Sequence, residues 1–178
     1  MFARHRGRFT HGLRVMTRAD LHQILRIEAD SFRHPWSEHD FIEHLENPNS
    51  VALVFEESGL AVGYEVFVIG APWSQLYSCV VHRAARRRRI GSILVAHLIR
   101  SIARQTRGIR AKVAERNVAA QVFFRQCGFR AVNVLPAYLL DDEDVYVMEY
   151  NLPGWTPRAF NSGVPDDDFV PLWDAKHG

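Results

Sequence analysis

LYSCVV-HRAA-RRRRIGSILV, residues 76–95, is an apolar strand that runs straight into a basic turn and then into a helix. The helix is marked by its period: Ile90, Leu94, Leu98 and Ile102 recur every four residues, with Val95 and Ile99 alongside. A helix N-terminus presents unpaired N–H groups and a partial positive charge. A tight turn before it can add further inward-pointing N–H groups, Gly91 lets the backbone approach a ligand closely, and Ser92 offers a hydroxyl. Together these predict an anion cradle suited to a pyrophosphate. Arg83 and Arg86 to Arg89 crowd into the same turn. Such a run by itself fits a solvated face or a nucleic-acid patch. The strand and helix on either side, and the lack of interleaved aromatics for base stacking, favour the cradle and argue against nucleic acid as a partner.

Upstream, Val51 to Phe55 is an apolar run, Glu57-Ser58-Gly59 turns it into Ala61 to Ile69, and Gly70-Ala71-Pro72 turns that into Gln75 to Val81. Short spacing with Gly and Pro between strands predicts an antiparallel meander. Before the meander, Leu13 to Met16 reads as an edge strand. A helix follows, with Asp20 near its start and Leu21, Ile24, Leu25 and Ile27 on or near one face, and Pro35 ends it. Ser37 caps a second helix with Phe41, Ile42 and Leu45 inward. Downstream, Gly108 closes the long helix, Ile109 to Ala114 is a short strand, and Asn117 opens a last helix that Gly128 ends. Phe129 to Leu135 and Val145 to Asn151 form a final strand pair around an acidic loop, Asp141 to Asp144. The order β-α-α-β-β-β-α-β-α-β-β predicts an α/β (α+β) domain, a mixed, mostly antiparallel sheet of about seven strands flanked by four helices.

The expected organisation is a basic arm over 1–11, one domain over 12–152 and a Pro/Gly-rich tail over 153–178 that cannot form regular structure. The tail's Trp155, Phe160, Phe169 and Trp173 suggest that it packs onto something. Hydrophobic residues make up 47% of the 178, which places the chain among globular proteins, and a net charge of +2 says little about partners. Two cysteines, Cys79 and Cys127, are too few for a disulfide framework and fit a cytoplasmic protein. No apolar run reaches the roughly 20 residues that span a bilayer, and no apolar segment follows the basic arm as a signal peptide would need.

The sequence resembles the GNAT superfamily of N-acetyltransferases, whose phosphate loop reads Gln/Arg-x-x-Gly-x-Gly/Ala; Arg86 to Gly91 matches at the first and last positions. Within it the chain is most similar to the ribosomal-protein-alanine N-acetyltransferases. Ile27 to Ser37, Cys79-Val80-Val81, Asn117 to Ala120, and Phe123-Phe124 through Cys127-Gly128-Phe129 carry the likeness, which covers roughly residues 12 to 152. The resemblance implies that acetyl-CoA is bound. Backbone groups of Cys79, Val80 and Val81 would pair with the pantetheine arm like an added strand. Arg87, Arg88, Arg89, Ile90, Gly91 and Ser92 would wrap the pyrophosphate, and Asn117 would contact the pantetheine near the thioester.

Three positions depart from the family. Arg89 stands where the loop has an earlier glycine, a steric cost on the order of 1 kcal/mol if φ is positive there. Lys112 stands at the subfamily's glutamate base, and a lysine near its ordinary pKa of about 10.4 cannot accept a proton at pH 7. Phe124 replaces the tyrosine that protonates the leaving thiolate. Gln75, at the base position of other branches, is no base either. Glu115, Tyr77 and Tyr138 are the candidate substitutes, each with a plainer reading: a helix N-terminal carboxylate for Glu115, packing residues for the two tyrosines. No metal site is expected. The reading is an N-acetyltransferase acting on a protein N-terminus or small amine by direct attack. The alternative is a degenerate member that binds coenzyme A or a protein partner without efficient turnover. A homodimer is open.

Overall fold

Eleven regular elements follow the expected order in the computed structural model, which describes residues 12–102 and 106–154. They are β1 (Gly12–Val15), α1 (Leu21–Ala29), α2 (Glu38–Glu46), β2 (Ser50–Glu57), β3 (Leu60–Val68), β4 (Trp73–Val81), α3 (Ile90–Ile102), β5 (Gly108–Ala114), α4 (Val118–Gln126), β6 (Arg130–Leu135) and β7 (Val145–Asn151). The strands make one sheet in the order β1-β2-β3-β4-β5-β7-β6. All neighbours are antiparallel except β4 and β5, which run parallel with α3 as the crossover between them. The basic arm and all of the tail beyond Gly154, with its four aromatics, lie outside the described residues.

Local sequence explains where the helices start and stop. Ser37 caps α2 by accepting the Asp40 N–H, while the Asp40 carboxylate accepts the Ser37 N–H at 2.7 Å. The Asn117 side chain accepts the Ala120 N–H at 3.1 Å and opens α4. Gly128, at φ +96°, ends it: the Phe129 N–H reaches back to the Phe124 carbonyl and the Gly128 N–H to that of Arg125, both at 3.0 Å. Phe129 therefore belongs to this cap rather than to β6. Two other expectations are corrected. Helix α1 ends at Ala29, well before Pro35. Gly108 does not close α3; it begins β5, where an added Cβ would lie 2.1 Å from the Tyr150 carbonyl oxygen.

Both faces of the sheet are covered. On one side α1 and α2 bring Leu21, Ile24, Ile27 and Phe41 against Val54, Tyr64, Val66 and Val80. On the other, α3 and α4 bring Val95, Leu98, Ile102 and Phe124 against Phe67, Leu76, Ala111, Val113 and Met148. Leu94, Leu98 and Ile102 have no exposure. Burying each contributes roughly 1.5–3 kcal/mol, enough to fix α3 along the sheet.

Candidate active site

The turn between β4 and α3 is built from backbone. The His82 ring accepts the Ala84 N–H at 3.4 Å and starts a single 3-10 turn over Arg83–Ala85. Arg86 folds back to the Val81 carbonyl at 3.0 Å, and Arg88 pairs with Glu57 of β2 at 2.9 Å. Arg87 and Arg89 stand at φ 65° and 63°, in the left-handed region. The positive φ anticipated at Arg89 is therefore present, and Arg87 shares it, each at a steric cost on the order of 1 kcal/mol. Alternating backbone handedness of this kind points successive N–H groups into one concavity. It leads directly into the first turn of α3, whose N–H groups have no intrahelical acceptor. A packing constraint also acts at Gly91. A Cβ there would lie 3.1 Å from the Phe123 ring of α4, so the glycine visibly lets α3 and α4 close on each other.

The strands part beside this turn. Parallel pairing of β4 with β5 runs from Trp73↔Gly108 to Leu76↔Ala111 and stops, although β5 continues to pair with β7 as far as Ala114↔Val145. A bulge helps to produce the splay: Phe67 pairs with Leu76 and Val66 with Ser78, which leaves Tyr77 as the extra residue. The β5-facing backbone of residues 77–81 therefore has no strand partner among the described residues, and Cys79, Val80 and Val81 lie along it. Burial pushes the Cys79 thiol well above its usual range, which leaves a neutral packing group and no nucleophile. Asn117, at the β5–α4 junction, spends its side-chain oxygen on the cap of α4.

On the α1/α2 side the candidates separate. Lys112 donates to the Tyr138 hydroxyl, and its ammonium lies 4.2 Å from the Tyr138 ring centroid. Tyr77 instead joins an aromatic group, 4.7 Å from His44 and 6.4 Å from Trp36, which stacks on His44. Glu115 is exposed; its N–H bonds to Asp144 and its carbonyl accepts from Gln121. Phe124 is buried between Phe123 and Phe129, at 5.3 and 5.1 Å. Gln75 is also buried.

Two features of this face were not anticipated. Glu28, buried in α1, accepts the Trp36 N–H at 3.0 Å and the Tyr64 hydroxyl, which lies 3.0 Å from the Ser78 hydroxyl on β4. Burial raises the Glu28 carboxyl above its ordinary range, against the pull of those bonds. Its position four residues after Ile24, on the apolar stripe of α1, was the available signal. Asp141 meets Arg33 at 2.6 Å, Arg116 at 3.5 Å and His34 at 3.7 Å, bridging the α1–α2 loop and the β6–β7 loop. Glu143 accepts the Arg116 N–H and Asp144 the Ala137 N–H, so the acidic loop is largely occupied within the molecule.

Known proteins resemble the chain in sequence and in architecture. The chain is 27% identical over 139 residues to a Bacillus subtilis (strain 168) protein named "Putative [ribosomal protein bS18]-alanine N-acetyltransferase", covering 76% of this chain and 92% of that one. The crystal structure of the ribosomal-protein-S18-alanine N-acetyltransferase from Escherichia coli superposes with a TM-score of 0.74 at 19% identity, covering 85% of this chain and 99% of that one. Arabidopsis thaliana NAA60, solved in complex with acetyl-CoA, gives 0.71 at 19% identity, covering 82% and 100%. The sequence model of the Acetyltransferase (GNAT) family matches residues 21–129, and with the splayed parallel pair and the turn at Arg86–Gly91 this establishes that the chain belongs to the acetyltransferase family GNAT.

Proposed function

We propose that this protein transfers the acetyl group of acetyl-CoA to a primary amine, a protein N-terminus or a small amine, by direct attack within a ternary complex. One observation carries the reading. The β4–β5 ladder stops after Leu76↔Ala111, on the strand that leads into the left-handed turn before α3. This supports a reading in which an extended arm and a pyrophosphate lie side by side. In this reading the free edge at Cys79, Val80 and Val81 pairs with the pantetheine arm. The backbone of Arg87 to Ser92 holds the pyrophosphate, with the exposed arginines supplying charge. The Asn117 amide nitrogen, left over from capping, is available to the arm. The solved NAA60 complex holds acetyl-CoA in a fold of the same kind.

Acetyl-CoA supplies an already activated thioester, and the chain's contribution is placement. Holding amine and thioester together replaces a bimolecular encounter with a unimolecular step. Tyr77, Trp36 and His44 form an aromatic wall on the α1/α2 side, and Lys112 with Tyr138 stands on β5 and the loop after β6. The acceptor approaches between them. Calorimetry tests the cradle. Acetyl-CoA and free coenzyme A should bind, and S-acetylpantetheine, which lacks the pyrophosphate, at least tenfold more weakly, a loss of about 1.4 kcal/mol. Equal affinities, or no binding of either coenzyme, would overturn the assignment. A turnover screen with an N-terminal alanine peptide and a panel of amines then identifies the acceptor class.

A further inference from the structure

The edge strand β6 is unusually bare. Arg130 to Val134 are all exposed, and the sheet carries no strand beyond it among the described residues. Ala131 and Val134 sit opposite Met148 and Tyr146 in register. Helix α4 presents Val118, Val122 and Arg125 along one outer stripe, with the two valines 60% and 50% exposed. Between stripe and strand runs a groove of about 500 Å³, lined by Val122, Phe129, Tyr146 and Met148 together with Arg125 and Arg130. Neither arginine has an ion pair among the described residues. The groove is thus apolar along its floor and cationic beside it, and the acetyl-transfer site makes no use of it.

We propose that this groove is the docking site of the chain's own segment Asp166–Trp173, Asp-Asp-Asp-Phe-Val-Pro-Leu-Trp. Three observations select this occupant. The charge is complementary: Asp166, Asp167 and Asp168 against Arg125 and Arg130. The apolar chemistry matches, since Phe169, Leu172 and Trp173 follow the acidic run directly. The connection is short. Arg130 pairs with Glu149 of β7, and the described chain ends at Gly154, five residues further on. The twelve residues from Gly154 to Asp166 can span about 40 Å when extended, so reach does not limit docking. Tethering also makes the event intramolecular, with an effective concentration in the millimolar range.

Hydrogen exchange on the full-length chain tests this, with a photo-crosslinking residue in place of the half-exposed Val122 as an independent readout. Amides of residues 130–135 should exchange at least tenfold faster in the Phe169→Ser/Trp173→Ser variant than in the natural protein at equal concentration. The crosslink should map to residues 166–173 of the same chain. Charge reversal by Arg125→Glu with Arg130→Glu should reproduce the faster exchange. Identical exchange rates in all variants would overturn the proposal. So would a crosslink that doubles the mass or a protection that grows with protein concentration, which would identify a second copy as the occupant.

Discussion

Glu65 lies in the middle of β3 with no exposure, and neither carboxylate oxygen has a hydrogen-bond partner among the described residues. His97 of α3 brings its Nδ1 to 3.3 Å, out of line for a hydrogen bond. That ring is itself biased toward neutrality, by burial first and by Arg100 second. Proximity therefore does not rescue the charge, and burial pushes the Glu65 carboxyl up to about 8. The sign of the consequence is fixed. A carboxyl whose folded pKa exceeds its unfolded one stabilises the fold fully below the unfolded value near 4.5, and that stability is lost as pH rises through about 8. The full loss is about 5 kcal/mol. Glu65→Gln keeps the shape and removes the titration. Its Tm should change little between pH 5 and 8.5, while the natural protein loses roughly 10 °C relative to it over that range. Parallel melting curves would show that Glu65 finds a partner in solution.

Among the elements, β5 depends on one residue for its placement. At Gly108 an added Cβ would lie 2.1 Å from the Tyr150 carbonyl oxygen and 2.7 Å from the Trp73 ring, so the neighbouring backbone would have to move. Gly108↔Asn151 and Trp73↔Gly108 are the first pairs of the two ladders that flank β5. Gly108→Ala should therefore cost about 3 kcal/mol or more, read as a shift in denaturant midpoint. A cost below about 1 kcal/mol would mean that the close approach relaxes freely. Sequence alone assigned this glycine to the end of α3, because a glycine after a periodic run is the usual helix stop and nothing local marks a close approach. Elsewhere the elements were legible. The change from a strand to a four-residue period between Val81 and Ile90 fixes β4, α3 and, with the next apolar run, the parallel β5. The turn proposed as the cradle follows from the same local signal, since it is made of consecutive backbone. The proposed acceptor face was not. Its contacts join residues far apart in the chain, Arg33 with Asp141, Glu28 with Tyr64 and Lys112 with Tyr138, and periodicity carries no record of such pairs.

At the scale of the whole molecule, α3 and α4 pack one side of the sheet and α1 and α2 the other, with the parted β4 and β5 giving access between them. The proposed cradle is built from backbone, and Lys112 and Phe124 stand where the resemblance implies an acid–base pair. We expect the natural protein to turn over slowly, and we expect the double variant Lys112→Glu, Phe124→Tyr to raise turnover by up to about 10²–10⁴-fold, the range general acid–base catalysis supplies. The structure makes the first change compatible with its surroundings: the Tyr138 hydroxyl, now the acceptor for Lys112, can donate to a carboxylate instead. The second is harder. Phe124 is only 7% exposed, and a hydroxyl buried there without a partner would cost about 1–3 kcal/mol. Thermal stability must therefore be measured beside the rate, to separate a catalytic failure from a packing one. Affinity for acetyl-CoA should remain nearly unchanged, because the cradle and the β4 edge are untouched. The assay is acetyl-CoA-dependent thiol release with an N-terminal alanine peptide and small amines. If the natural protein already runs at ordinary enzyme rates, about 1–10³ per second, the expectation is wrong. Tyr138 is then the first residue to replace, because its hydroxyl accepts from Lys112.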